Sequence, residues 1–359
     1  MKMMSYKNFI YGALGLTIGA TVTAFNLPDK SKKMKEGAPS ELRISNRTEY
    51  GQLKEVVVGR WVPNTFRVGK VDASLKNFAP YLSDKAWEYW AKCEDKNIAE
   101  VFPEDDKNNF LEQENLVKTL ENLGVKVRRP DPIPFSSMIA SQCYSRDPII
   151  TIGNKVILAN LRSEARRMEV ASYGRIAQDL TEQYQGEVVR MPALKQGLAE
   201  GNAYLEGGDV FVEGKDIYVG ISGNATNDLG IEWLRETLGD EYVVHRVALK
   251  PNVLHLDCAM MLINDKLGVI CEEDFEDFDA LPASLKRRKW VTVAPEEAQV
   301  MATNGIAVNP ETIIMVDAFP EVAEQIRAHG IEVIAIPFDK ANYYGGGLRC
   351  SYQPISREH

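Results

Sequence analysis

Along the chain, short apolar runs come in pairs, each pair separated by a turn rich in Gly, Asn, Asp or Pro. IITIGNKVILAN begins at Ile149, DVFVEGKDIYVGI at Asp209, AMMLINDKLGVIC at Ala259 and GIAVNPETIIMVD at Gly305. Each reads as a β-hairpin, because strand-length apolar runs flank residues that tolerate tight backbone turns. LKEVVVGRW, from Leu53, reads as part of a fifth unit. Helical patterns fall between the hairpins. NNFLEQENLVKTLENLG ends at Gly124, NDLGIEWLRETLG at Gly239 and PEVAEQIRAHG at Gly330. Glycine just past a helix is a common C-terminal stop. The stretches VKVRRPDPI and IEVIAIPF then read as strands. The order hairpin, helix, strand recurs at intervals of roughly 45 to 60 residues, which predicts an array of small α/β units.

Composition narrows this picture only a little. The chain has 359 residues, of which 45% are hydrophobic and 26% charged, ordinary values for a soluble globular body. The net charge of −9, with no basic block, argues against nucleic acid as a partner. The five cysteines, Cys93, Cys143, Cys258, Cys271 and Cys350, show neither CxxC nor zinc-ligand spacing. The N-terminus differs from the rest. Lys2 and Lys7 precede the apolar run FIYGALGLTIGATVTA, which ends at Ala24. Val22 and Ala24 fit the small-residue cleavage site of a secretory or periplasmic signal peptide. An uncleaved membrane anchor is the rival, and the lysines of the linker DKSKKMKEGAPS favour it. The expected organisation is therefore residues 1–42 as signal or anchor plus charged linker, and 43–359 as one catalytic domain.

Polar residues cluster where the hairpins begin. YSRDP carries Asp147, YLEGGDV carries Glu206 and Asp209, and VLHLDC carries His255 and Asp257. Near the C-terminus, YYGGGLRCSY sets Cys350 behind three glycines, which permit close approach of a ligand to the backbone. Each residue has a plain structural reading. Asp147 could pair with Arg146 or Arg349, EGGD could be a turn, and His255 could be a satisfied core histidine. Together they say more. A thiol becomes a nucleophile next to a base or positive charge, and Cys–His is the usual pairing. Carboxylates beside a thiolate repel it unless a cation lies between them, and a guanidinium suits paired carboxylates. His255 and Asp257, two apart, are expected on one face of a strand.

With these residues in place, the chain resembles the guanidino-group-modifying enzymes: arginine deiminases, dimethylarginine hydrolases and glycine amidinotransferases. The resemblance to the amidinotransferase branch runs from about Tyr50 to Arg357, through EYGQLKEVVVGR, GVKVRRPDPI, SRDPIITIGNKVI, NDLGIEWLRETLG, LHLDCAMMLI and GGGLRC. It implies the pentein fold, a five-bladed α/β propeller with pseudo-fivefold symmetry. It implies Cys350 as nucleophile, His255 as general acid and base, and Asp147 and Glu206 as the carboxylates that hold the guanidinium. Asp257 and Asp209 follow as further acidic groups of the substrate site, and Arg166, in EARRMEV, as the partner of a substrate α-carboxylate. Two departures pull apart. LEGGD is spelled as in the deiminases, whereas SGNATN, with Asn224 and Ala225, is closer to the amidinotransferases.

The expected activity is amidino transfer from arginine to an acceptor amine through an amidino-cysteine. The alternatives are a deiminase or dimethylargininase-type hydrolase using the same site, and a non-catalytic binding module of the same fold. No metal or organic cofactor is expected. The expected partners are a guanidino substrate and an amine acceptor, with a membrane through the N-terminus under the anchor reading and a homodimer left open.

Overall fold

The computed structural model describes residues 44–71, 79–133, 142–195, 201–338 and 341–358. The apolar N-terminal run, read above as signal or anchor, lies outside them. No described helix is long and apolar enough to cross a membrane.

The hairpin, helix, strand pattern folds as an α/β structure of five three-stranded sheets. In the second sheet, β3 (Ile149–Ile152) and β4 (Lys155–Leu158) form the antiparallel hairpin, and β4 pairs in parallel with β5 (Glu187–Arg190). The helix Gly174–Tyr184 makes the crossover. The third sheet repeats this with β6 (Val210–Glu213), β7 (Asp216–Ile221), the helix Asp228–Leu238 and β8 (Val243–Ala248). The fourth uses β9 (Met260–Leu262), β10 (Leu267–Ile270) and β11 (Lys289–Thr292). The fifth uses β12 (Ile306–Asn309), β13 (Thr312–Val316), the helix Pro320–Arg327 and β14 (Glu332–Ile336).

The first sheet is built differently. Its hairpin partner comes from the other end of the chain: β1 (Gln52–Val58) pairs antiparallel with β15 (Tyr352–Glu358) and parallel with β2 (Lys126–Arg128). The run from Leu53 is thus half of a unit whose other half follows Cys350. This closure ties the cysteine to the N-terminal part of the domain.

Local chemistry explains the elements. Asn227 caps the helix Asp228–Leu238, its side-chain oxygen accepting from the Gly230 N–H. Pro103 opens the long helix Pro103–Asn122, where the missing N–H costs nothing. Gly124 and Gly330 follow their helices at φ +78° and +82°, in the left-handed region where glycine has no Cβ to clash. The hairpin strands are buried along nearly their whole length, as continuous apolar runs require, while the third strands are half exposed.

The segment before β1 stitches neighbouring sheets, with Asn46 bridging Gly153 and Thr48 bridging Glu213. Two buried arginines fasten the interior. Arg357 donates through Nη1 to the carbonyls of Gly51 (2.6 Å) and Ala307 (2.9 Å). Arg349 bonds Glu49 (3.1 Å), Asp257 (3.0 Å) and the Val210 carbonyl (2.9 Å). One side chain therefore links the first, third and fourth units. Buried guanidiniums persist because each is hydrogen-bonded, three of Arg349's bonds being to the carboxylates of Glu49 and Asp257.

Candidate active site

The residues just before the first strands meet in the interior. Asp147 stands two residues before β3, Asp209 one before β6, Asn304 two before β12 and Cys350 two before β15. The repeat brings chemically different residues to matching places.

The glycine run answers to its neighbours. A Cβ on Gly346 would lie 2.5 Å from the Tyr144 ring, and one on Gly347 would lie 2.7 Å from Asn304. Nothing larger fits, and the chain passes between these walls into the helical turn Leu348–Ser351. Cys350 is 3% exposed. Its N–H donates to Asn304 Oδ1 (3.1 Å), its carbonyl accepts from the Arg146 N–H (3.0 Å), and its Sγ lies 3.6 Å from Asp257 Oδ2. Asn304 was not singled out in the sequence, although its position two residues before a hairpin matches that of Cys350.

His255 is also buried. Its Nε2 bonds Glu206 Oε2 at 2.9 Å and its Nδ1 lies 3.8 Å from Asp147 Oδ1. Gly208 lets the ring lie flat against the backbone, since a Cβ there would come within 2.6 Å of Nδ1. The two carboxylates are held rigidly. Glu206 Oε1 accepts from the Arg162 N–H (2.8 Å). Asp147 Oδ1 accepts from the Gly208 N–H (3.0 Å) and Oδ2 from Arg166 Nη1 (2.8 Å). Each oxygen thus carries one protein bond and keeps a second lone pair.

Asp147, Glu206, Arg166, His255 and Cys350 line one cavity of about 130 Å³. The rest of its wall is largely aromatic, including Phe66, Tyr81, Trp87, Trp90, Tyr144 and Tyr344. A neighbouring cavity of about 170 Å³, with Asp274 and Glu296 in its wall, shares Tyr81 and Leu254 with it.

Three expectations need correction. Residues Leu256–Ala259 form a helical turn, not a strand, so His255 and Asp257 do not share a face. Asp257 instead meets Arg349 and Cys350 from behind and does not line the cavity. Asp209 does not line it either: its two oxygens accept from the Leu256 N–H (3.0 Å) and the Thr226 N–H (3.3 Å). It braces the loop that carries His255, and burial raises its pKa to about 7. Arg166 does line the cavity, but it is engaged, bonding Asp147 with Nη1 and Glu169 with Nε (3.1 Å) and Nη2 (2.9 Å). Asp147 therefore pairs with Arg166, not with Arg146 or Arg349. Glu169, three residues on from Arg166 in a helical turn, was legible as an i,i+3 partner.

Charge sets the protonation states. Burial disfavours a charged His255, but the Asp147 carboxylate, the hydrogen bond to Glu206, and the charges of Asp209 and Glu206 outweigh it and raise its pKa to about 10. The imidazole is a protonated acid near neutral pH. For Asp147, burial acts against ionisation, but His255 and Arg166 dominate and lower its pKa. Cys350 is pushed well above the ordinary thiol range by burial and by the charges of Asp257 and Asp147. At rest the site holds a neutral thiol, and a bound cation is what would make a thiolate favourable there.

This gives a pH prediction with a definite sign. Alkylation of Cys350 by iodoacetamide in the ligand-free protein should climb steadily from pH 6 through pH 9, because a raised pKa keeps the thiol protonated over that range. Intact-mass kinetics on a variant lacking the other four cysteines reads this directly. A plateau near pH 7 would reveal a resident thiolate.

Asp147, Glu206 and His255 offer donor atoms within 4.8 Å of one another, so a metal ion could in principle be held there. The imidazole would first have to lose the proton that its two carboxylates hold.

The family model described as N,N dimethylarginine dimethylhydrolase, eukaryotic, matches residues 95–357, well over half of the chain. The chain belongs to that family. It lies within the guanidino-group-modifying superfamily and is similar to its amidinotransferases as well. Mitochondrial glycine amidinotransferase from Gallus gallus is 26% identical over 89% of this chain and 84% of its own length. Among solved structures, the amidinotransferase SxtG of saxitoxin biosynthesis from Microseira wollei superposes with a TM-score of 0.72 at 21% identity, over 88% of this chain and 98% of its own. A Pseudomonas aeruginosa family member, solved as a cysteine-to-serine mutant with citrulline, gives 0.59 at 18% identity, over 84% and 99%.

Proposed function

We propose that this member of the family is an amidinotransferase, moving the amidino group of arginine or a relative to an acceptor amine through an amidino-Cys350 intermediate. The observation that carries the reading is an imidazole held between two carboxylates in one cavity with a buried cysteine. The five sheets are proposed to stand as the blades of a propeller around this site.

The guanidinium of the donor binds at the free lone pairs of Asp147 and Glu206, and its charge lets the Cys350 thiol release a proton to solvent. The thiolate attacks the guanidinium carbon. The carbon–nitrogen bond to the donor's chain breaks, and His255 gives its proton to the departing amine. The planar cation left on sulfur stays against the same carboxylates. The acceptor amine then attacks that carbon, the carbon–sulfur bond breaks, and the now neutral His255 takes a proton from the amine nitrogen. Arg349 and Asn304 keep Cys350 in place, and Asp257 accepts from its Sγ on the side away from the cavity.

If a terminal nitrogen of the guanidine left instead, the substrate's chain would stay on the carbon bound to Cys350, and water attacking that adduct would make the protein a hydrolase, which the matching family model favours. The aromatic wall favours transfer, because carbon surface over the intermediate leaves water few hydrogen-bonding places. The deciding assay supplies arginine with and without amines. Ornithine and a new guanidine, formed only when an amine is present, support transfer. Urea and ornithine, or citrulline and ammonia, formed at the same rate without amine overturn it in favour of hydrolysis. No turnover and no covalent adduct with any guanidine would leave a binding module.

A further inference from the structure

The far wall of the cavity has chemistry that the transfer mechanism does not use. Three of its aromatic side chains have their polar atoms turned to the protein. Trp90 Nε1 donates to the Tyr343 carbonyl (2.8 Å). The Tyr344 hydroxyl is taken up by Tyr89 (3.1 Å) and Asn109 (3.2 Å). The Tyr144 hydroxyl donates to the Gly346 carbonyl (3.2 Å). The rings also brace one another. Phe66 meets Trp90 at 6.4 Å and Tyr344 at 5.5 Å, both edge-on, and Trp87 meets Trp90 at 6.1 Å. The result is a braced wall that is mainly carbon surface on this side, with the polar groups of Tyr81, Ser163 and Asn224 elsewhere in the lining.

The charged end of the cavity points the same way. Among the described residues that line it, the cations are His255 and Arg166. His255 is bonded by Glu206, and the guanidinium of Arg166 is bonded at Nε, Nη1 and Nη2 by Glu169 and Asp147. Asp147 and Glu169 already balance the Arg166 charge, so among the described residues the α-carboxylate of an amino acid finds no uncompensated cation there, and desolvating it against aromatic rings is unfavourable. A second positive charge finds no further carboxylate among the described residues of that wall.

We infer that the amine exchanged at this site carries a neutral, carbon-rich tail, aryl or alkyl, seated on Phe66, Trp87, Trp90 and Tyr344, and is not an α-amino acid such as glycine. The inference rests on the transferase reading and names its substrate class. The same space receives the departing end of the donor and the tail of the acceptor, so the preference holds for both half-reactions: among relatives of arginine, those without the carboxylate are favoured.

The test uses the full chain with two donors, arginine and phenethylguanidine, and with glycine, methylamine, butylamine, phenethylamine or no amine as acceptor. Products and the Cys350 adduct are followed by mass spectrometry. Phenethylguanidine should load Cys350 faster than arginine. Phenethylamine and butylamine should discharge it faster than glycine, with kcat/KM rising about fourfold for each methylene seated on the aromatic wall. An adduct that glycine discharges as fast as phenethylamine overturns the inference and leaves amidino transfer standing. An adduct that water discharges regardless of amine overturns the transferase reading, and the inference falls with it. Trp90→Ala should lower the phenethylamine-to-glycine ratio of kcat/KM about tenfold. Trp90→Leu, which keeps apolar volume, should restore part of that ratio, and a ratio unchanged in both variants overturns the role of the wall.

Discussion

Cys350→Ser should abolish turnover and remove the covalent adduct. Activity should fall by a factor on the order of 10⁴ or more, the scale seen when a covalent nucleophile is removed. A serine hydroxyl in this buried place has no strong base within reach, since His255 is already protonated between Glu206 and Asp147. The fold should survive. The bonds that position this residue are mostly backbone bonds, from its N–H to Asn304 and from the Arg146 N–H to its carbonyl, and a hydroxyl can still donate to Asp257. The unfolding free energy should change by no more than about 1 kcal/mol. Cys93→Ala and Cys271→Ala, at thiols outside the cavity wall, should keep appreciable activity. Intact mass of protein quenched with the donor, read beside its melting temperature, checks both halves. Retained turnover in the serine variant would end the covalent mechanism.

Glu206→Gln should cut the rate of adduct formation by roughly 10² to 10⁴, the range associated with loss of effective general acid catalysis. The amide keeps the shape and can still accept from the imidazole, but the charge that helps to hold the proton is gone. The His255 pKa, raised to about 10 in the native site, should fall by about one unit or more. The sign follows directly. Catalysis by an acid is lost as pH rises through the acid's pKa, so the descending limb of the pH profile for adduct formation should move to lower pH. A residue of only structural importance would lower the melting temperature and leave that limb in place. Glu206→Asp restores the charge but shortens the reach to His255, and it should recover the position of the limb better than the rate. If neither rate nor limb moves in the glutamine variant, the Glu206–His255 contact has no part in catalysis.

The glutamate, the histidine and the cysteine are each legible in the linear pattern, and so is their convergence. They occur in the short polar clusters that introduce successive hairpins, and equivalent places in a repeat come together. The same logic applied to the hairpin starting at Gly305 would have found Asn304. Other parts of the site left little trace. Arg349 looked like a neighbour of the nucleophile, yet its work is to join Glu49 and Asp257, 300 and 92 residues away. The aromatic wall joins residues of the stretch 66–90 to Tyr144 and Tyr344, and no spacing in the sequence connects them.

What the sequence by itself determined is therefore local and repetitive: hairpin, crossover and strand in each unit, the glycines that end helices and let the chain pass Tyr144 and Asn304, and the residue types available for guanidine chemistry. These follow from preferences that act over a few residues, such as apolar periodicity, turn chemistry and capping. Only the tertiary structure decided that β15 completes the sheet of β1, that the turn at Leu256–Ala259 separates His255 from Asp257, that Arg166 is taken up by Asp147 and Glu169, and that Asp209 is a brace behind the cavity. Each of these depends on which of several possible partners a side chain or strand reaches in space. Hydrogen bonding and charge pairing at about 3 Å are settled by three-dimensional distance, which a linear pattern does not contain.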